Sequence, residues 1–179
     1  MLRSHPLAGM RRPAQPLPRL SLPLGDVALL LRTAGKLVAD ARSEDHTPAG
    51  RRRLFEAEQI QLLVRLAADS GARRGELAAL RIGDLEDRVL HICRNISGPS
   101  TVTTPKGNQY RTLTLGQTTV DLWNAHTDRW PPPRRGCDWL FSASPDRYTF
   151  VQPRGLAARF ARLRVVSGVP EASLHRLRH

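Results

Sequence analysis

Three short stretches of the chain carry side chains suited to binding or protonating an anion. Ser70–Arg81 (SGARRGELAALR) places two arginines where one apolar segment ends and another begins. Lys106 lies in a turn sequence, and His175 and Arg178 lie three residues apart in LHRLRH. Guanidinium, ammonium and imidazolium groups all bind phosphates, whereas only the last two can also give up a proton and so act as general acids. Each stretch therefore predicts a contribution to anion binding.

The spacing of Arg73 and Glu76 places both side chains on one face if the turn between them is helical. A glutamate there fixes the guanidinium so that its free edge presents a planar fork to a phosphate. The alternative is a purely structural Arg–Glu pair, which is the commoner use of this spacing.

The second and third stretches differ in the chemistry they offer. Lys106 is one of only two lysines among 28 lysines and arginines, and an ammonium is usable as a general acid where a guanidinium is not. His175 and Arg178 would converge from a helix that buries Leu174 and Leu177, which suits an oxyanion or a phosphate. The alternatives are an ordinary surface lysine and a frayed basic helix.

The helices that must position these groups follow from apolar periodicity. One helix is predicted over 26–42 with Asp26 as N-cap, and another over Phe55–Ser70 with Gly71 after its end. Others are predicted over 76–82, 118–130 and 155–166, and from Pro170 onward. In the second helix the predicted inward residues are Phe55, Leu62, Leu63, Leu66 and Ser70, and the predicted outward residues are Glu56, Glu58, Gln61 and Arg65.

The period changes to two after Asp87, which predicts strands. These are Arg88–Arg94, Thr101–Thr104 and Arg111–Leu115. A turn at 105–108 is predicted to join the last two as a hairpin with Lys106 at its tip. The predicted fold class is α+β, mostly α-helical with a small three-stranded antiparallel sheet.

The charge favours a polyanionic partner. The 179 residues carry a formal net charge of +12 and a pI of about 11.4, which points to nucleic acid rather than to a membrane. A compositional preference for arginine explains the same charge equally well. Cys93 and Cys137 match no metal-ligand spacing, so we expect reduced thiols in a cytoplasmic protein without a membrane span.

Taken together and in this order, SGARRGELAALRIGDL, TPKGNQYRTLTL and LHRLRH resemble the motifs of the tyrosine recombinase (phage integrase) family. The resemblance covers about Arg53 to His179. It implies a DNA breaking-rejoining catalytic core that cuts and rejoins double-stranded DNA in site-specific recombination or integration. It also implies other recombinase subunits as partners, and it requires no cofactor and no metal.

The resemblance assigns roles to individual residues. Arg73 and Arg178 resemble the two catalytic arginines that clamp the non-bridging oxygens of the scissile phosphate, where cleavage builds charge. Lys106 resembles the hairpin lysine that protonates the departing 5′ oxygen, and His175 the histidine that contacts the phosphate. Glu76 would orient the helix of the first arginine.

One part of the family pattern has no counterpart in this sequence. The family's nucleophilic tyrosine follows the histidine–arginine motif, whereas Tyr110 and Tyr148 stand elsewhere, beside the expected hairpin and in a loop. A phosphotyrosyl intermediate is therefore not expected, and the chain is interpreted as an inactive fragment. Residues 1–50 are interpreted as a Pro/Arg-rich lead-in with one short helix, and 51–179 as the N-terminal portion of the catalytic domain.

Two other functions stay open. One is a non-catalytic DNA-binding module that occupies recombination sites or joins a partner recombinase. The other is a basic RNA- or DNA-binding protein whose charges are generic. If Leu174 and Leu177 face a core that needs further helices, the isolated chain is expected to be poorly soluble or partly molten.

Overall fold

The computed structural model of the chain describes residues 21–98, 101–105, 110–134, 136 and 138–178. The helices are α1 (Leu24–Arg42), α2 (Pro48–Ser70), α3 (Arg74–Ala78), α4 (Gln117–Arg129) and α5 (Pro153–Val166). The strands are β1 (Leu85–Glu86), β2 (Val89–Ile92), β3 (Asn95–Ser97), β4 (Thr101–Thr103) and β5 (Arg111–Thr114), and 3-10 turns cover Ile82–Asp84 and Arg176–Arg178. The predicted α+β class and the three-stranded antiparallel sheet are confirmed.

Helix α2 is the central element, and its ends are fixed by local chemistry. Thr47 caps the first turn, because its hydroxyl accepts a hydrogen bond from the Gly50 N–H at 2.9 Å, and Pro48 occupies the first position. The helix ends at Gly71, whose φ of 56° is left-handed. The helix therefore begins at Pro48, seven residues before the predicted start at Phe55. The Thr47 cap and Pro48 fix this start although the apolar periodicity of the first turns is weak.

Neighbours pack around most of α2, so the prediction of one buried stripe is incomplete. Helices α1, α4 and α5 all contact it, and the predicted outward residue Glu58 is buried. Glu58 is satisfied there by the Nε1–H of Trp130 at 2.8 Å and by Nδ1 of His126 at 3.2 Å. The prediction that Glu58 faces solvent is wrong, since a helix enclosed on several sides buries polar residues wherever partners exist.

Helix α1 lies along α2 and contributes to the same core. Leu30 and Ala34 join the main apolar cluster, and Val38 and Ala41 pack near Phe55 in a second one. The helix begins at Leu24 rather than after Asp26, so that Asp26 lies in the first turn. An acidic residue there is favourable because the helix dipole places positive charge at that end.

The strands pair differently from the predicted hairpin. Strand β5 pairs with β2, with Leu90 opposite Leu113, and β1 completes this sheet on the other side of β2. Strand β4 pairs with β3 in a separate two-stranded sheet. The core explains the difference, because β2 buries Leu90 and Ile92 whereas Val102 of β4 is exposed. An apolar strand next to the core is the better partner for β5.

The C-terminal segment turns back onto the core. Leu174 and Leu177 are buried, as predicted. The helix predicted from Pro170 is wrong for the described residues, where turns lead into the single 3-10 turn Arg176–Arg178. Among the helices that the structure describes, none is both long and apolar enough to cross a bilayer.

Candidate anion-binding site

Arg73 stands at a sharp junction between α2 and α3. After the left-handed Gly71, the chain is extended at Arg73, which is the residue immediately before α3. Arg73 therefore does not have a helical backbone conformation, whereas the predicted Arg73–Glu76 pair assumed a helical turn between the two residues. The two residues still meet, because the Glu76 carboxylate reaches back and accepts the Arg73 backbone N–H at 2.7 Å. This is the glutamate half of a helix capping box.

The Glu76 carboxylate holds two guanidinium groups. Its side chain is fully buried, and it accepts hydrogen bonds from Nη1 of Arg73 at 3.0 Å and from Nη1 and Nη2 of Arg111 at 3.2 and 2.8 Å. Burial acts to raise the pKa of Glu76, but the hydrogen bonds from Arg111 and from Arg73 outweigh it and lower that pKa. Glu76 is therefore ionised at neutral pH and fixes both arginines.

Arg111 is a site residue that sequence reasoning missed. It opens β5 and lies 35 positions from Glu76, so no local spacing connects the two. The alternation of β5 contains a partial signal, since it places Arg111 and Leu113 on the same, half-buried face. A guanidinium on the inner face of a strand needs a carboxylate partner, and Glu76 supplies it.

An open cleft of about 760 Å³ lies beside this junction. Small and apolar residues form much of its wall, among them Ala72, Gly75, Ile96, Pro153, Ala157 and Ala161. Its polar lining consists of Arg73, Arg74, Asn95, Arg164, Ser173 and His175. No aspartate or glutamate lines it in the described part of the chain, so the charged side chains of its wall are basic, which suits an anion.

The cleft brings together some of the predicted site residues. Arg73 and His175 both line it, although 102 positions separate them in the sequence (175 − 73). Arg73 is about two-fifths exposed, and Arg74 is exposed. Lys106 lies outside the described residues. The backbone of Arg178 belongs to the terminal 3-10 turn, but its side chain lies outside the description.

The two tyrosines lie away from the cleft. Tyr110 borders a different cavity, beside His91 and Cys93, and the ring of Tyr148 stacks on the guanidinium of Arg134. Neither lines the cleft that contains Arg73. Within the described ranges, no group of three His, Cys, Asp or Glu side chains could hold a metal ion.

Gly75 allows α3 to approach β3 closely. A Cβ atom at this position would lie 2.6 Å from the Ile96 carbonyl oxygen and closer still to the Asn95 side chain. We expect Gly75→Ala to lower the free energy of unfolding by about 1–3 kcal/mol, since the backbone of β3 cannot give way cheaply. Gly83→Ala is the control, because no atom of the described residues lies within 4 Å of a Cβ there. Urea denaturation of both variants measures the difference, and equal midpoints would contradict the close approach.

The fold is similar to that of two solved structures. One is the crystal structure of XerA recombinase, with a TM-score of 0.64 and 19% identity over 96% of this chain and 50% of that one. The other is lambda integrase (residues 75–356) bound to DNA, with a TM-score of 0.56 and 16% identity over 96% of this chain and 52% of that one.

These similarities concern the fold. The chain spans about half the length of both solved chains. No protein-family model matches the sequence, and no curated protein sequence matches it. The predicted resemblance to tyrosine recombinases is thus confirmed as a likeness of fold, found independently of the motifs.

Proposed function

We propose that this chain binds the phosphate backbone of double-stranded DNA in the Arg73 cleft, as the phosphate-binding part of a tyrosine-type site-specific DNA recombinase. One observation carries the proposal. Arg73 and His175, distant in sequence, line one cleft without a carboxylate in its described wall, in a fold similar to that of an integrase bound to DNA. A cytoplasmic location and assembly with other recombinase subunits belong to the same proposal.

The geometry at Arg73 suits a phosphate whose charge increases during a reaction. The Glu76 carboxylate accepts hydrogen bonds from one Nη of Arg73 and from the Arg73 backbone N–H. The guanidinium is therefore fixed while part of the side chain stays exposed in the cleft. Preorganised donors stabilise a transition state more than flexible ones, because they need not reorganise as charge develops. Arg73 is therefore proposed to bind a non-bridging phosphate oxygen, beside His175.

Two further roles are proposed from the resemblance. Arg178 is proposed as the second arginine of the clamp, since its backbone lies three residues beyond His175 in the same terminal segment. Lys106 is proposed as the general acid that protonates the leaving 5′ oxygen when the phosphorus–oxygen bond breaks. Alanine replacement of either residue should weaken catalysis in any assembly that contains a nucleophile.

A second candidate function, a non-catalytic DNA-binding module, is favoured by the placement of the tyrosines. Neither Tyr110 nor Tyr148 lines the cleft, so neither is placed to attack a phosphate held by Arg73. We expect a duplex with a nick beside the cleavage site to yield no covalent protein–DNA adduct, as measured by denaturing gel electrophoresis. An adduct mapped to Tyr110 or Tyr148 would contradict this expectation.

DNA affinity should depend steeply on salt if the cleft holds backbone phosphates. Each phosphate neutralised releases counterions, and the slope of log K against log salt changes by about 0.9 for each. We expect Arg73→Ala to weaken binding by about 10- to 100-fold, the range for a charge-assisted hydrogen bond, and to reduce the slope by about one. Fluorescence anisotropy with a labelled duplex at several salt concentrations measures both quantities.

Arg32→Ala is the matched control for Arg73→Ala. Arg32 is an exposed arginine of α1 outside the cleft, so its loss changes net charge by the same amount without touching the site. Equal losses for the two variants would favour a generic basic nucleic-acid-binding protein. A wild-type affinity that does not change with salt would exclude both DNA-binding functions.

A further inference from the structure

Arg164 is a third arginine at the cleft, and it contacts the segment that leads to His175. It lies in the last turn of α5 and is half-buried in the cleft wall. Its Nη1 donates a hydrogen bond to the Ala172 carbonyl oxygen at 2.9 Å. Ala172 is fully buried and stands three residues before His175. The Arg164 side chain therefore connects the end of α5 to the segment of turns that contains His175.

The backbone of Arg164 makes a second connection to the same segment. The helix ends in a Schellman motif, in which Gly168 has a left-handed φ of 69°. The Val169 N–H donates to the Arg164 carbonyl oxygen at 2.9 Å, and the Gly168 N–H donates to the Val165 carbonyl oxygen at 3.1 Å. Arg164 thus holds both the start of the 169–175 segment, through its carbonyl group, and the middle of it, through its guanidinium.

The charge of Arg164 has no counterion in the described structure. No described carboxylate lies within ion-pair distance of it, and its buried Nε has no hydrogen-bond partner among the described residues. A half-buried guanidinium without a counterion is costly, and an anion bound at the side of it that borders the cleft would relieve the cost. Arg147 also has no carboxylate partner among the described residues, but it is fully enclosed and donates to three carbonyl oxygens. Arg164 instead borders an open cleft.

We propose that Arg164 is a further anion-binding residue of the cleft, which binds a DNA phosphate and, through Ala172, positions His175. This inference rests on the proposed DNA-binding function and adds a residue to it. A guanidinium can do both at once because its five N–H donors form a planar fork. Nη1 holds the Ala172 carbonyl group, while Nη2 remains for a phosphate oxygen.

The test compares Arg164→Met with Arg162→Met in the full chain. Arg162 lies on the same helix but borders a different cavity, and it is exposed, so both variants lose one charge from α5. We expect Arg164→Met to weaken binding of a labelled duplex by about tenfold or more and to reduce the salt slope by about one. We expect Arg162→Met to change affinity less than about threefold. Equal effects of the two substitutions overturn the proposal.

A second measurement separates positioning from charge. Arg164→Lys keeps the charge but cannot hold the Ala172 carbonyl group and a phosphate together, because an ammonium lacks the planar fork. We expect it to keep the wild-type salt slope, to bind about tenfold more weakly, and to shift the His175 ring resonances in NMR spectra of the free protein. Arg162→Met leaves those resonances unchanged. Wild-type affinity or unshifted His175 resonances in Arg164→Lys overturn the proposal.

The outcomes also distinguish this inference from the proposed function. If the wild-type chain does not bind DNA, the proposed function fails and the inference fails with it. If wild-type DNA binding is weakened by Arg73→Ala but not by Arg164→Met, only the role of Arg164 fails. Circular dichroism establishes that each variant folds, and Arg164→Lys decides the matter if Arg164→Met does not fold.

Discussion

Replacement of Glu76 by glutamine is expected to lower the free energy of unfolding by about 3 kcal/mol. The fully buried carboxylate accepts hydrogen bonds from Arg73 and Arg111, and a glutamine offers one oxygen and an amide that repels the second guanidinium. The expected loss is at the lower end of the range for a buried ion pair. Both arginines are partly exposed, so water can hydrate them in the variant. Urea denaturation at pH 7 measures it.

Glu56→Gln is the control for this substitution. Glu56 forms an exposed pair with Arg52 on the surface of α2, so its loss should cost less than about 1 kcal/mol.

The pH dependence of the free energy of unfolding gives a further check on the role of Glu76. Because the pKa of Glu76 is lowered in the folded state, its contribution is complete above its ordinary value of 4.5 and is lost as the pH falls through the folded pKa. Wild type and Glu76→Gln should therefore converge in acid, and equal stabilities at pH 7 would contradict the role of Glu76.

The Arg73 junction could be predicted because its causes are local. A glycine after an apolar run ends a helix, and a glutamate three residues beyond Arg73 marks the start of the next one. The sequence could not show that Arg111 completes the group, since that contact depends on how β5 packs against α3. Helix caps and helix ends can be predicted from a single sequence. A contact between distant elements cannot, because it depends on how those elements pack.

The errors in the predicted sheet and in α2 have a related origin. A hairpin between 101–104 and 111–115 is the shortest connection, but β5 gains more by placing Leu113 opposite Leu90 at the core. Glu58 was predicted to face solvent because periodicity assumes that a helix has one buried face. The central helix of a domain has several, and the partners that make a buried carboxylate acceptable come from α4.

The Arg73 cleft depends on the same combination of local and distant contacts. The junction sequence presents Arg73, and Glu76 fixes it locally, but His175 reaches the cleft only because α5 and the turn after it return the chain to that end of α2. The order of the motifs in the sequence predicted this convergence through a family resemblance. Periodicity and spacing alone would not have done so.

Glu58→Ala is expected to lower the free energy of unfolding by about 3–5 kcal/mol. Glu58 is buried, accepts hydrogen bonds from Trp130 at 2.8 Å and from His126 at 3.2 Å, and forms an ion pair with Nε of Arg129 at 3.1 Å. Burial acts to raise its pKa, but the bonds from His126 and Trp130 outweigh burial and lower it. Its removal leaves two donors without an acceptor and takes an ion-pair partner from Arg129. Thermal and urea denaturation measure the loss.

The control is Glu44→Ala, which breaks the exposed pair with Arg53 and should cost less than about 1 kcal/mol.

The contact between Glu58 and His126 also predicts how the free energy of unfolding changes as the pH falls. Burial lowers the pKa of His126 despite its bond to Glu58, so the unfolded chain takes up that proton first. Stability should therefore be complete above the ordinary histidine value of 6.5 and decline as the pH falls below it. His126→Gln, which keeps an N–H donor but does not titrate, should flatten that decline between pH 6.5 and 4.5, while His46→Gln at an exposed position should not. If both substitutions leave the pH profile unchanged, the acid sensitivity does not come from the contact between α2 and α4.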